Sequence, residues 1–297
     1  MTVLPPSKTA IWLQAARPKT LWAAVSPVLL GTAMALEAGA LHAWSALMAL
    51  LAAVLIQIGT NLSNDYHDYV KGADTSARKG PLRITQAGLV EPDIVRRVAL
   101  AVFGLAFLAG IYLIWRGGWV ILVIGVLSIF FGILYTAGRY SLAYLGVADL
   151  FVFIFFGPVA VAGTYYVQAL ELAPITIIAG FAPGLLSVAI LLVNNIRDID
   201  EDRKAGKKTL VVRTGRTFAV SLYLACFAGA GITTLIVAAV TPAHWWALAA
   251  LVVVPIGVLN TAKLNKSTDP AVLNPLLGAT ARMLLIYCVL FSIGWNL

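Results

Sequence analysis

Polar positions are scarce along this chain and come in clusters, and the apolar runs between them are of membrane-spanning length. Nine such runs can be marked, at residues 21–36, 43–62, 95–115, 119–136, 147–168, 175–195, 218–240, 245–261 and 273–294. About 20 apolar residues cross a hydrocarbon core as an α-helix, which satisfies its own backbone polar groups in lipid. The pattern predicts an all-α polytopic membrane protein of about nine transmembrane helices, forming one domain over residues 1–297. Gly39, Gly117-Gly118, Pro174 and Pro242 fall at joins between runs, where helices are expected to stop.

Composition makes the membrane assignment firm. The chain is 61% hydrophobic and 11% charged, against about 25% charged residues in soluble domains. The net charge of +8 therefore points to anionic lipid headgroups and cytoplasmic loops, not to nucleic acid. Cys226 and Cys288 both lie inside apolar runs, so neither a disulfide framework nor a thiolate metal site is expected. Arg17 and Lys19 precede a long apolar run, which reads as a retained first span and not as a cleaved leader.

Lys and Arg alternate with the spans. They cluster before the first run (Lys8, Arg17, Lys19) and after the second (Lys71, Arg78, Lys79, Arg83, Arg96, Arg97). Arg139 follows the fourth, seven basic residues from Arg197 to Arg216 follow the sixth, and Lys263 and Lys266 follow the eighth. The opposite connections hold only Arg116. By the positive-inside rule the N-terminus and these long connections are cytoplasmic, in what is expected to be a bacterial inner membrane.

Two of the cytoplasmic connections begin as acidic helix ends. At the foot of the second span, Asn61 and Asp65 are four residues apart, as are Asn64 and Asp68. At the foot of the sixth, Asn194, Asp198 and Asp202 are spaced i, i+4, i+8, so on a continuing helix they share one face. Carboxylates that close repel one another unless a cation lies between them. The two sites recur four spans apart in the same order, which suggests two four-helix halves plus a ninth helix. A solvated helix end explains either site alone; the pair favours function.

Two carboxylate clusters beside basic loops suit a diphosphate held through Mg²⁺. That ion prefers oxygen ligands and commonly bridges one or two carboxylates to substrate phosphates, while Lys and Arg neutralise charge on the leaving group. A lipid diphosphate could then keep its tail in apolar protein and its head at the cytoplasmic interface.

The residues also match a family. Arg17-Pro18-Lys19-Thr20-Leu21, Asn61-x-x-Asn64-Asp65-x-x-Asp68 with Lys71-Gly72-x-Asp74, and Gly80-Pro81-Leu82-Arg83 carry the first half of the resemblance. Tyr135-Thr136, Gly146-Val147-Ala148-Asp149, Phe155-Phe156-Gly157, Asn194 to Leu210, Leu273-Asn274-Pro275 and Thr280-Ala281-Arg282 carry the second. The chain resembles the UbiA superfamily of intramembrane prenyltransferases, and within it the 1,4-dihydroxy-2-naphthoate branch of menaquinone synthesis. The resemblance implies nine helices around a central cavity, Mg²⁺, a polyprenyl diphosphate donor and an aromatic acid acceptor. It implies that Asn64, Asp65 and Asp68 serve one metal and that Asp198 and Asp202 serve the other. Gly72 stands where many relatives carry a further Asp, which points away from the hydroxybenzoate enzymes.

Other roles follow as expectations. Asn61, Lys71, Arg78, Arg197 and Lys207 are candidates for the substrate's diphosphate end, with Asp200 and Glu201 left to solvent. Tyr135, Tyr144 and Tyr165 could stabilise an allylic cation through their ring faces. Asp149 either pairs with Arg139 or positions the acceptor, and Arg282 either snorkels to the interface or binds a substrate carboxylate. His67, between two acids, is a weaker ligand candidate. A different acceptor, such as 4-hydroxybenzoate, is the nearest alternative. A secondary transporter is a more distant one, because its ionisable groups would lie nearer the midplane.

Overall fold

The structure, a computed structural model, describes residues 7–73 and 79–297. Arg78 and Asp74 lie outside the described residues. A short helix α1 (Lys8–Ala16), absent from the expectations above, starts at a Ser7 cap whose hydroxyl accepts from the Ala10 amide. Ala15, Ile11 and Trp12 pack with Leu62, Ile84 and Val95, so α1 clasps the foot of the bundle that carries the first acidic motif. Arg17 takes a left-handed conformation (φ 52°) and Pro18 then opens α2 (Pro18–Glu37).

Helix α3 (Ala43–Val70) carries the first acidic motif on its last three turns. Helix α4 (Pro92–Leu134) has 43 residues, about 65 Å at 1.5 Å per residue and about twice a hydrocarbon core. Gly118, at φ 70° and ψ −156°, breaks it. Phe103, before the break, touches Gly59 of α3, while Gly132, after it, meets Thr60. The two arms therefore run back along one another, and α4 supplies two crossings. Counted by length and composition alone, eight segments among the described residues could span a membrane. Dividing α4 at Gly118 gives nine, as the apolar pattern predicts.

After α5 (Leu142–Leu145), the fifth crossing is broken into α6 (Ala148–Phe155) and α7 (Pro158–Ala169). Gly157 stands at the break, where a Cβ would come within 2.6 Å of the Gly180 carbonyl. The missing side chain lets this kink press against α8 (Pro174–Arg197). Two short helices, α9 (Ile199–Lys204) and α10 (Leu210–Thr214), precede α11 (Arg216–Val240). The eighth crossing begins as a 3-10 segment (Pro242–Val252) and continues as α12 (Val253–Lys266), and α13 (Pro270–Trp295) closes the chain. The main core lies among α2, α8, α11 and α13, around Leu186, Tyr223, Phe227, Tyr287 and Phe291. The arms of α4 instead expose Leu100, Leu108, Trp115 and Trp119, as lipid-facing helices do.

Candidate active site

One cavity of about 380 Å³ runs through the bundle. Its polar end is lined by Asn61, Asn64 and Asp68 from α3, Asn194 and Asn195 from α8, Asp198 between α8 and α9, Asp202 from α9, and by Arg17, Arg83 and Lys207. Its apolar end is lined by the arms of α4, by α6 and by α7, including Phe107, Leu113, Ile121 and Phe155. The two acidic motifs, more than a hundred residues apart, thus face a single space.

Lys207 joins them. Its ammonium lies 3.0 Å from Asp68 and 3.8 Å from Asp202. Gly206 makes this possible: at φ 72° it turns the chain back, and the Lys207 amide donates to the Asp202 carbonyl. Arg83 donates to the same Asp68 Oδ2 at 3.1 Å. Asp68 is 1% exposed, and its Oδ1 has no hydrogen-bond partner among the described residues. Asn64 Oδ1 accepts from Thr136 Oγ1 at 2.7 Å, which fixes the amide against the cavity.

At the second motif the helix does not continue unbroken. Asp198 leaves helical geometry between α8 and α9, but the Asp202 amide still donates to the Asp198 carbonyl. That bond preserves the shared face, and Asn194, Asp198 and Asp202 all line the cavity. Arg197, expected on the diphosphate, is instead a brace. Its guanidinium holds Asp198 through two bonds of 2.6 Å and also donates to Asn194 and Asn274, both at 2.8 Å. Only 3% exposed, it does not line the cavity.

Asp65 differs from expectation in the same way. Its two oxygens accept the Ile84 and Thr85 amides at 3.1 and 3.2 Å, and it does not line the cavity. It pins the strap at 79–85 that carries Arg83 to Asp68. Glu201, expected in solvent, pins the near end of that strap by accepting the Lys79 amide at 3.1 Å. Asp200 remains outside, loosely paired with Lys79.

Three other cations also miss the cavity. The Lys71 ammonium donates to the carbonyls of Thr136 (2.5 Å) and Gly138 (2.8 Å) and lies 4.0 Å over the Tyr144 ring. Burial lowers its pKa, opposed by nearby Asp68 and aided by Lys207. Tyr144 is thereby committed beneath Lys71 and Lys207 and is not a cavity-facing aromatic. Arg139 is exposed beside Tyr140 and makes no ion pair with Asp149 among the described residues. Arg282 is exposed on α13, away from the cavity. This fits the snorkelling reading.

Asp149 and Tyr135 do line the cavity. Both Asp149 carboxylate oxygens lack a hydrogen-bond partner among the described residues, although the residue is only 9% exposed. Tyr165 belongs to the core, its hydroxyl directed at Glu171. His67 bonds back to Ser63 and does not line the cavity. The aromatic wall is instead Tyr135 with Phe131, Phe151 and Phe155, whose rings pack at 4.5 to 6.4 Å. Sequence reasoning left Arg17 and Arg83 without roles, although both sit in distinctive Pro-containing segments.

A profile of the UbiA prenyltransferase family matches residues 24–290. The chain belongs to this family. It is 37% identical to 1,4-dihydroxy-2-naphthoate octaprenyltransferase of Escherichia coli strain K12, over 97% of this chain and 96% of that one. The protein of the same name from Mycobacterium tuberculosis is 36% identical over 94% of both, and that from Bacillus subtilis is 33% identical over 96% and 91%. Among solved structures, a UbiA homolog from Archaeoglobus fulgidus bound to DMAPP and Mg²⁺ superposes with a TM-score of 0.65, covering 95% and 99% of the two chains at 15% identity. An apo UbiA homolog from Aeropyrum pernix gives 0.62, covering 91% and 96% at 15%.

The UbiA-family cavity fits a hard cation brought in with its substrate. No three His, Cys, Asp or Glu side chains converge as a ready-made metal cage among the described residues. Mg²⁺ seldom needs one, since it keeps waters and takes one or two carboxylates plus phosphate oxygens. The carboxylates and side-chain amides at the polar end offer oxygen ligands, and Asp68, which lines this space, carries a buried Oδ1 without a hydrogen-bond partner among the described residues.

Proposed function

We infer that this protein transfers a polyprenyl group from its diphosphate to 1,4-dihydroxy-2-naphthoate, releasing diphosphate and CO₂ and yielding demethylmenaquinol, the reduced form of demethylmenaquinone. The observation that carries this is the single cavity, with both acidic motifs and three cations at one end and an apolar bore at the other. The naphthoate acceptor is favoured by the near-full-length relatives of that name. Asp68 and Asn64 on one side, with Asp198 and Asp202 on the other, would hold Mg²⁺, which when bound neutralises charge on the diphosphate oxygens. Asp65 is a positioning residue in this reading. The chain acts as one domain whose two halves present corresponding helix feet, and the site faces the cytoplasm of a bacterial cell, on the side rich in Lys and Arg.

Lys207, Arg83 and Arg17 neutralise the diphosphate as the C–O bond breaks. The allylic cation left behind sits beside Tyr135, Phe131 and Phe155, whose ring faces attract it, in a space lined largely by apolar side chains that keep water out. The acceptor ring carbon bearing the carboxylate attacks. A C–C bond forms, the bond to the carboxyl carbon breaks, and its electron pair restores the aromatic ring as CO₂ departs. Asp149, with two free acceptor oxygens, takes the acceptor's hydroxyl and orients the ring.

Purified protein supplied with octaprenyl diphosphate and a panel of aromatic acids is expected to prenylate dihydroxynaphthoate, with CO₂ released in step. Preference for 4-hydroxybenzoate, without CO₂, would overturn the acceptor assignment.

A further inference from the structure

Glycines in this membrane bundle fall into two groups. Most of those on the spans are packing glycines: a Cβ on Gly59 would meet Phe103 at 2.9 Å, and one on Gly180 would meet Pro158 at 2.6 Å. Gly110 and Gly125 are different. A Cβ on either would meet nothing within 4 Å, yet both lie in the interior of α4 arms and both line the cavity. Glycine weakens a helix interior relative to alanine, and no neighbour here excludes a side chain. What a side chain would enter is the cavity.

Their positions correspond. The arms of α4 fold back at Gly118, with Phe103 and Gly132 level at α3. Gly110 and Gly125 are eight and seven residues from that bend, so they stand opposite one another, about 10–12 Å from it at 1.5 Å per residue. Phe107 and Val126 line the cavity and are 45% and 48% exposed. At the other end lie Asp149, nine-tenths buried with both oxygens unpartnered, and the unpartnered Asp68 Oδ1. Such groups in a membrane protein are costly unless a ligand satisfies them. The cavity is therefore built for a molecule with a polar head and a long apolar tail.

We propose that Gly110 and Gly125 are specificity-determining residues: they keep open the passage between the two arms of α4 through which the distal prenyl tail runs, and so allow long tails to be accepted. The proposal rests on the prenyl-transfer reading above. It makes the cavity's own volume no limit on tail length, because the far isoprene units leave between the arms toward lipid.

The test compares geranyl diphosphate with octaprenyl diphosphate, each with dihydroxynaphthoate, in lipid nanodiscs. Gly110→Leu and Gly125→Leu are expected to lower kcat/KM for the octaprenyl donor at least about 10-fold and to leave the geranyl donor within about twofold. Gly110→Ala and Gly125→Ala should give smaller losses in the same direction. Gly104→Leu, also in open space but off the cavity, should change neither donor. Retained geranyl turnover shows that a variant is folded. Equal losses on both donors, or no loss on the long one, would overturn the proposal while leaving prenyl transfer intact. A wild-type protein inert with both donors would overturn the prenyl-transfer reading and this proposal with it.

Discussion

Asp68→Asn is expected to lower kcat by about 10³-fold, equivalent to ~4 kcal/mol on the barrier, with polyprenyl diphosphate and dihydroxynaphthoate both saturating. The side chain is almost wholly buried and keeps its volume in the variant, so packing changes little. The charge is what is lost. Asp68 Oδ2 takes both Lys207 and Arg83, at 3.0 and 3.1 Å, and Oδ1 is the buried oxygen with no other partner. Without the carboxylate, the cavity-lining part of the first motif offers the metal only amide oxygens, and Lys207 and Arg83 lose the carboxylate they share. Asp68→Glu restores the charge on a longer stem and is expected to recover part of the rate, which a purely structural lesion would not allow. Steady-state turnover of purified variants at fixed Mg²⁺ measures both.

Lys207→Met should act differently. The ammonium compensates Asp68 and Asp202, and in the proposed mechanism it faces the departing diphosphate. Methionine preserves the apolar stem and removes the charge. A kcat lower by about 10²-fold is expected, the usual scale for losing one preorganised electrostatic contact in a dry site. The Mg²⁺ concentration for half-maximal rate should not rise, because the cation that shares these carboxylates with the metal has gone. A raised Mg²⁺ requirement with unchanged kcat would make Lys207 a scaffold for the carboxylates and not a partner of the diphosphate.

The spans were legible because little but apolar side chains can cross lipid, and the hairpin of α4 was legible at Gly117-Gly118. The acidic motifs were legible as a pair, since two such clusters on one side of a membrane protein have few other uses. Division of labour within them was not. Asp65 and Asp68 are three residues apart and share a helix edge, and only the strap at 79–85, with its amides turned toward Asp65, separates anchor from cavity-facing carboxylate. Arg197 looked like a phosphate ligand because its charge is visible in sequence, whereas its turn back onto Asp198 and Asn194 is completed by Asn274 of α13, 77 residues away. Lys71 was lost to the carbonyls after α4 for the same reason. Glu201 was left to solvent because helix spacing says nothing about a backbone amide 122 residues earlier in the chain.

The central claim is that two acidic helix feet, brought to one cavity, hold a metal–diphosphate between them. Its most direct measurement is CO₂ release from carboxyl-labelled dihydroxynaphthoate by purified protein and an octaprenyl donor, with Mg²⁺ and after EDTA, for the wild type and the Asp68→Ala/Asp198→Ala double variant. The account predicts release by the wild type with Mg²⁺, none after EDTA until Mg²⁺ is restored, and none by the double variant under either condition. Full turnover in EDTA, or a double variant that still releases CO₂ at a comparable rate, would contradict it.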